Sequence, residues 1–114
     1  PALNMSNSGV SSYTALFRYC YTLAVIEGVQ FRNFSTMTTT NMFGNCSRLR
    51  SAAFTGLANT FSVANCNLDA TALDAIYTNL PTTVPSKTIT VTGNPGTTGD
   101  DPSIATAKGW TVTG

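Results

Sequence analysis

The spacing Phe17-x-x-Cys20-x-x-Leu23 returns as Phe43-x-x-Cys46-x-x-Leu49, every position displaced by the same interval (43 − 17, 46 − 20, 49 − 23). A unit of that length is too small to bury its own apolar face and must stack on a neighbour. Such a repeat predicts a short, right-handed solenoid of class α/β, because successive strands joined by a return segment run parallel. Stacking also sets equivalent residues side by side. Cys20 and Cys46 then lie about one strand spacing, ~4.8 Å, apart. They are either a disulfide or two buried thiols acting as small apolar residues, and the second reading is preferred.

The rest of the chain fits the stack unevenly. Residues 1–13 are polar and carry no periodic pattern, so this N-terminal segment is expected to be irregular, with the repeat domain over residues 14–114. Thr14 reads as an N-cap ahead of Ala15, Leu16, Phe17, Cys20 and Leu23, a short helix with a strand after it. Gly28 stands in a slot of that strand where an apolar residue belongs. A second short helix, capped by Thr40 or Asn41, is expected to hold Met42, Phe43, Cys46 and Leu49. Beyond it, Leu49-x-x-Ala52-x-Phe54 and Ala58-x-x-Phe61-x-Val63-x-x-Cys66-x-Leu68 both match the pattern L-x-x-L-x-L-x-x-N/C-x-L. They start only nine residues apart (58 − 49), too close for two units. The second fits every slot and is taken as the strand, with residues 51–57 as an inserted loop.

From Asp69 onward the signals are clearer. Leu73, Ile76, Tyr77 and Leu80 fall at i, i+3, i+4 and i+7, with Asp69 as N-cap and Pro81 as stop. Ser86-x-x-Ile89-x-Val91-x-x-Asn94 repeats the strand pattern, and its Asn94 is placed to bond backbone groups of the adjacent unit. Residues 93–99 are turn chemistry. Asp101 and Pro102 predict a short helix over Ile104 and Ala107, ended by Gly109 before a last strand beginning at Trp110. Strands near 61–64, 88–92 and 110–113 should pair in parallel.

Composition excludes several functions. Only 11 of 114 residues are charged and the net charge is +1, so there is no electrostatic footprint for nucleic acid or an anionic membrane. No apolar run reaches about 18 residues, the length that a spanning helix needs. The start at Pro1 has neither an initiator Met nor a charged-then-apolar leader, and the sequence ends at Gly114 just past a strand, so the chain reads as part of a longer one. The three cysteines include no C-x-x-C pair and indicate no zinc site.

Chemistry is equally sparse. Without histidine the chain lacks the commonest general base and the commonest metal ligand. Asp69 and Asp74 read as a cap and a solvated residue, and Asp100-Asp101 as turn and cap rather than a calcium loop. Gly93-x-x-Gly96-x-x-Gly99 lacks the Lys of a phosphate-binding loop. No cofactor, metal or catalytic residue is expected. What stands out is alternation. If Ile89 and Val91 face inward, Thr88, Thr90 and Thr92 face outward together, as do Thr111 and Thr113 if Trp110 and Val112 are buried. Such a face could bind neutral glycans, pack on another subunit or order water as ice-binding solenoids do; plain β-propensity of Thr is the competing account. Trp110 is either a sugar-stacking platform or the cap of the core.

The F-x-x-C-x-x-L frame with Asn41-Met42-Phe43 resembles the BspA-like leucine-rich repeats of bacterial surface proteins. Asn65-Cys66-Asn67-Leu68, Leu73-Asp74-Ala75-Ile76, Ile89-Thr90-Val91-Thr92-Gly93-Asn94 and Ala107-Lys108-Gly109-Trp110 resemble the terminal units of leucine-rich-repeat proteins of bacteriophage virions, including tail proteins. The resemblance implies an irregular leucine-rich-repeat solenoid and a non-enzymatic role in a phage tail or capsid appendage. Its partners would be other virion subunits or a host-surface protein or glycan. A secreted or cell-surface bacterial adhesin is the alternative setting, and an oligomer fits either. No catalytic residue comes with it.

Overall fold

The computed structural model describes residues 20–30, 43–82 and 87–114. Phe17, the 1–13 segment, the cap at Thr40 or Asn41, Met42 and Ser86 lie outside them.

The described chain is a mixed α/β structure of short parallel strands with few helices. Its elements are β1 (Val25–Gln30), β2 (Ser51–Thr55), β3 (Phe61–Ser62), α1 (Ala70–Asn79), β4 (Lys87–Thr90), a 3-10 turn (Pro95–Thr98), α2 (Ser103–Thr106) and β5 (Trp110–Thr113). Two sheets form, β1-β2 and β3-β4-β5, and every pairing in them is parallel. The three C-terminal strands pair as their sequence pattern predicts, and backbone hydrogen bonds extend the ladder past them, from Val63 N–H to Thr90 O and from Asn65 N–H to Thr92 O.

Residues 51–57 are not an inserted loop. Ala52 and Phe54 alternate inward from β2, which pairs with β1 in register Ile26 to Ala52. Both competing segments are strands because they serve different sheets, so the nine-residue spacing that forbids two units in one ladder does not apply. Gly28 sits at φ +65 between Ile26 and Val29, where the register of the pairing shifts. The glycine makes a bulge, and the bulge turns Val29 into the core in place of the missing apolar residue.

The helix expected to hold Phe43, Cys46 and Leu49 is also absent from its described part. Residues 43–45 and 47–48 are turns, and Leu49 N–H donates to Cys46 O at 2.9 Å. Gly44 and Asn45 disfavour a helix, Asn45 takes φ 60, and its N–H goes to Ala64 O instead. Cys20 and Leu23, the described end of the first expected helix, make the same kind of turn, Leu23 N–H donating to Cys20 O at 3.1 Å.

α1 forms where its periodicity places it. The Asp69 carboxylate accepts from Ala72 N–H at 2.8 Å, and Leu73, Ile76 and Tyr77 are buried. Lys108 donates from Nζ to the carbonyls of Tyr77 and Thr78, satisfying orphan acceptors at the helix C-terminus. Gly96 permits the close approach of the 3-10 turn to α1: a Cβ there would lie 2.2 Å from the Asp69 carbonyl carbon. Among the described residues no helix is long and apolar enough to cross a membrane.

Asn94 is buried at the junction of α1 with the three-stranded sheet. Its Oδ1 accepts from Leu68 N–H at 3.1 Å, and its Nδ2 donates to Val63 O at 2.9 Å and Val91 O at 2.8 Å. Two of these three partners belong to the segment that pairs with β4, so the side chain stitches neighbouring turns together.

Tyr77 donates its hydroxyl hydrogen to Asp100 Oδ2 at 2.5 Å. Burial first, then this hydrogen bond and the negative charge of Asp100, push the Tyr77 phenol well above its ordinary value. The folded state therefore holds the proton more tightly than the unfolded chain. That stability is fully present below the unfolded phenol's pKa of about 10 and is lost as pH rises above it. Melting curves between pH 9 and about 11 should fall more steeply for the wild type than for Tyr77→Phe; parallel slopes would remove Tyr77 as the cause.

Candidate recognition face

The core fixes which side chains reach the surface of the three-stranded sheet. Phe61, Val63, Ile89, Val91 and Trp110 are buried and Val112 is partly buried on the inner face. The alternate residues must then stand on the other face. Register does the rest. Thr88 pairs with Thr111, and Ser62 pairs with Thr90, which pairs with Thr113. Thr60 joins the first row, its Oγ1 accepting from Thr88 N–H at 3.2 Å.

Two rows of three hydroxyl residues result, Thr60, Thr88, Thr111 and Ser62, Thr90, Thr113. Sheet geometry spaces them about 4.8 Å across the strands and about 6.6 Å along them. Thr92 stands exposed beyond the second row. Thr60, Thr111 and Thr113 are exposed, while Thr88 and Thr90 on the centre strand and Ser62 on the edge strand β3 are half-buried. Ser62 Oγ also accepts from Ala64 N–H at 3.1 Å, which fixes its side chain.

None of these groups is charged, so the face offers neutral donors, acceptors and methyl groups to a partner. Its hydroxyls have no general base among them. Thr60 and Ser62 escape the sequence reading, although Thr60-Phe61-Ser62-Val63 shows the same alternation as β4. The cue is hidden as long as the two segments are matched only by their apolar slots.

Trp110 is not part of this face. It is 2% exposed, its Nε1–H donates to Pro81 O at 2.7 Å, and its ring meets Phe61 edge-on at 5.7 Å. A tryptophan so enclosed closes the core and leaves no ring face for a sugar.

The aspartates have structural partners. Asp69 caps α1, Asp74 accepts from Asp101 N–H at 2.7 Å, Asp100 holds Tyr77, and Asp101 accepts from Ser103 N–H at 3.1 Å. Asp74 is thus a link between α1 and the segment before α2 rather than a merely solvated residue. Gly93, at φ +82, packs on Asn65, whose Oδ1 would lie 2.2 Å from an added Cβ. Close packing accounts for it without a phosphate. Among the described residues no group of three or more His, Cys, Asp or Glu is arranged to hold a metal ion. No family model matches the chain, and no curated protein or solved structure matches it significantly.

Proposed function

We propose that the chain is a non-enzymatic recognition module, a short irregular leucine-rich-repeat solenoid that docks through its hydroxyl face. The observation that carries this reading is the registered double row Thr60, Thr88, Thr111 and Ser62, Thr90, Thr113 on one side of a sheet whose other side is the core. The solenoid reading draws on the parallel pairing of each strand with one distant in sequence and on the stacked turns at Asn45, Asn65 and Gly93, all with positive φ.

The partner is a neutral, hydroxyl-rich or polar surface, because a face of this composition has no charge with which to select an ion. We assign the module to a phage tail or capsid appendage, contacting a host-surface glycan or protein or a neighbouring virion subunit. That setting rests on the sequence resemblance of the C-terminal segments. The even spacing of the rows favours a second reading, an array that orders water against ice.

Thr90 lies in the centre strand and tests both. Thr90→Lys should abolish adsorption to host cells or assembly with the neighbouring subunit, since a charge would be buried in any contact made there. Stability should fall by no more than about 1 kcal/mol, the span of strand propensity, because the lysine stem can lie along the sheet with its ammonium in water. Unchanged adsorption and assembly would reduce the rows to β-propensity. Thermal hysteresis in the wild type, lost in Thr90→Lys, would select the ice reading.

A further inference from the structure

The three cysteines are all thiols, and they are not scattered. The pairing of β1 with β2 keeps a constant offset at its start (51 − 25, 52 − 26), and Arg50 N–H donates to Ala24 O in the same ladder. The same offset relates Cys46 to Cys20 (46 − 20), and each opens an equivalent turn, to Leu49 and to Leu23. The two turns therefore stack one strand spacing apart, about 4.8 Å, inside the Cα separation that a disulfide spans. The thiols interact: Cys20 contributes to the environment of Cys46 through hydrogen bonding and charge. Cys66 also neighbours Cys46, but its Sγ is directed at Phe43 O at 3.4 Å and at Ala64 O at 3.7 Å.

We propose that Cys20 and Cys46 form a thiol pair that closes to a disulfide under oxidising conditions and clamps β1 onto β2, with Cys66 left as a spectator. Exposure sets the order of events. Cys20 is only half-buried whereas Cys46 and Cys66 are buried, so Cys20 meets the oxidant. With a low-molecular-weight disulfide RSSR, Cys20 loses its proton to solvent, and its thiolate attacks one sulfur and expels RS⁻. Cys46 then gives up its proton, attacks the Cys20 sulfur of the mixed disulfide and expels the second RS⁻. The two RS⁻ take up the two protons. Two protein thiols are oxidised by two electrons, and RSSR is reduced to two RSH. Burial raises the Cys46 thiol above its ordinary value, so closure should accelerate as pH rises. The clamp acts where it has most to add, because a two-stranded sheet is marginal by itself and β1 is interrupted by its bulge.

The test uses the reduced full chain and glutathione disulfide without denaturant. Cleavage after Arg and Lys puts the cysteines on separate peptides, 19–32, 33–48 and 51–87. The expected result is a 19–32/33–48 cross-link, a fall from three titratable thiols to one, and a higher Tm that reduction reverses. Cys66→Ser should keep the cross-link and Cys20→Ser should lose it. Three persisting thiols, a glutathione adduct on Cys20 that never resolves, or a link joining 51–87 to either other peptide would each overturn the proposal.

Discussion

Replacing Phe61 with alanine is expected to destabilise the chain by about 4 kcal/mol, the middle of the range for a buried Phe→Ala change. Phe61 is where the two sheets meet. Its ring is edge-on to Phe54 of β2 at 5.6 Å, to Phe43 at 6.2 Å and to Trp110 of β5 at 5.7 Å. Phe54 and Phe43 are themselves stacked at 5.1 Å. Truncation would leave a cavity at this seam and remove three aromatic contacts, each contributing about 0.5–1.5 kcal/mol beyond burial. Phe61→Leu loses the same ring contacts but fills much of the cavity, so it should lose about 2 kcal/mol, clearly less than the alanine variant. Urea denaturation of both variants measures the contrast. A loss for Phe61→Ala no larger than that for Phe61→Leu would mean that the sheets are held together elsewhere.

Asn94→Ala should lose about 3 kcal/mol, since leaving buried groups unpaired costs about 1–3 kcal/mol or more each before water enters. The amide makes three hydrogen bonds to main-chain groups while only 4% exposed, and removing it takes the side-chain partner from Val63 O and Leu68 N–H in the interior and leaves Val91 O only the backbone N–H of residue 94, at 3.4 Å. Asn94→Asp separates hydrogen bonding from volume: it keeps an acceptor for Leu68 N–H but presents oxygen to two carbonyls, so it should be no more stable than alanine. Denaturant unfolding of both variants checks this. An alanine variant within about 0.5 kcal/mol of wild type, the range of an ordinary surface substitution, would show Asn94 to be only a turn residue.

The legible parts of the sequence are those where one physical signal acts alone. α1 has a cap, a 3.6-residue apolar rhythm and a proline stop, and all three agree. The strands around Ile89 and Trp110 alternate cleanly, and Asn94 is legible because it fills the N/C slot of the repeat pattern, where its amide meets backbone groups of the adjacent unit. The misreadings share a cause as well. Residues 43–49 show helical spacing of Phe43, Cys46 and Leu49, yet Gly44 and Asn45 favour turns, and burial of the three apolar residues needs no helix. The strand at 51–55 is hidden by the assumption of a single ladder. The Gly28 bulge cannot be read from the residue alone, since glycine marks both a bulge and a weak strand. On the candidate face, alternation reveals Thr88, Thr90, Thr92, Thr111 and Thr113, while the registration that aligns them with Thr60 and Ser62 is a long-range property.

The all-parallel pairing has a kinetic consequence. Partner residues stand far apart along the chain, Ile26 with Ala52, Phe61 with Ile89 and Ile89 with Val112, so no described strand pair can begin from a tight hairpin. Each must close a long loop, and spend that entropy, before its first inter-strand bond forms. α1, with its own cap and local hydrogen bonds, is the segment that can order early and offer Leu73, Ile76 and Tyr77 as a surface on which the strands collect. Folding should accordingly be slow for a chain of this size, with a nascent state whose unsatisfied strand edges are open to wrong partners until the last loop closes.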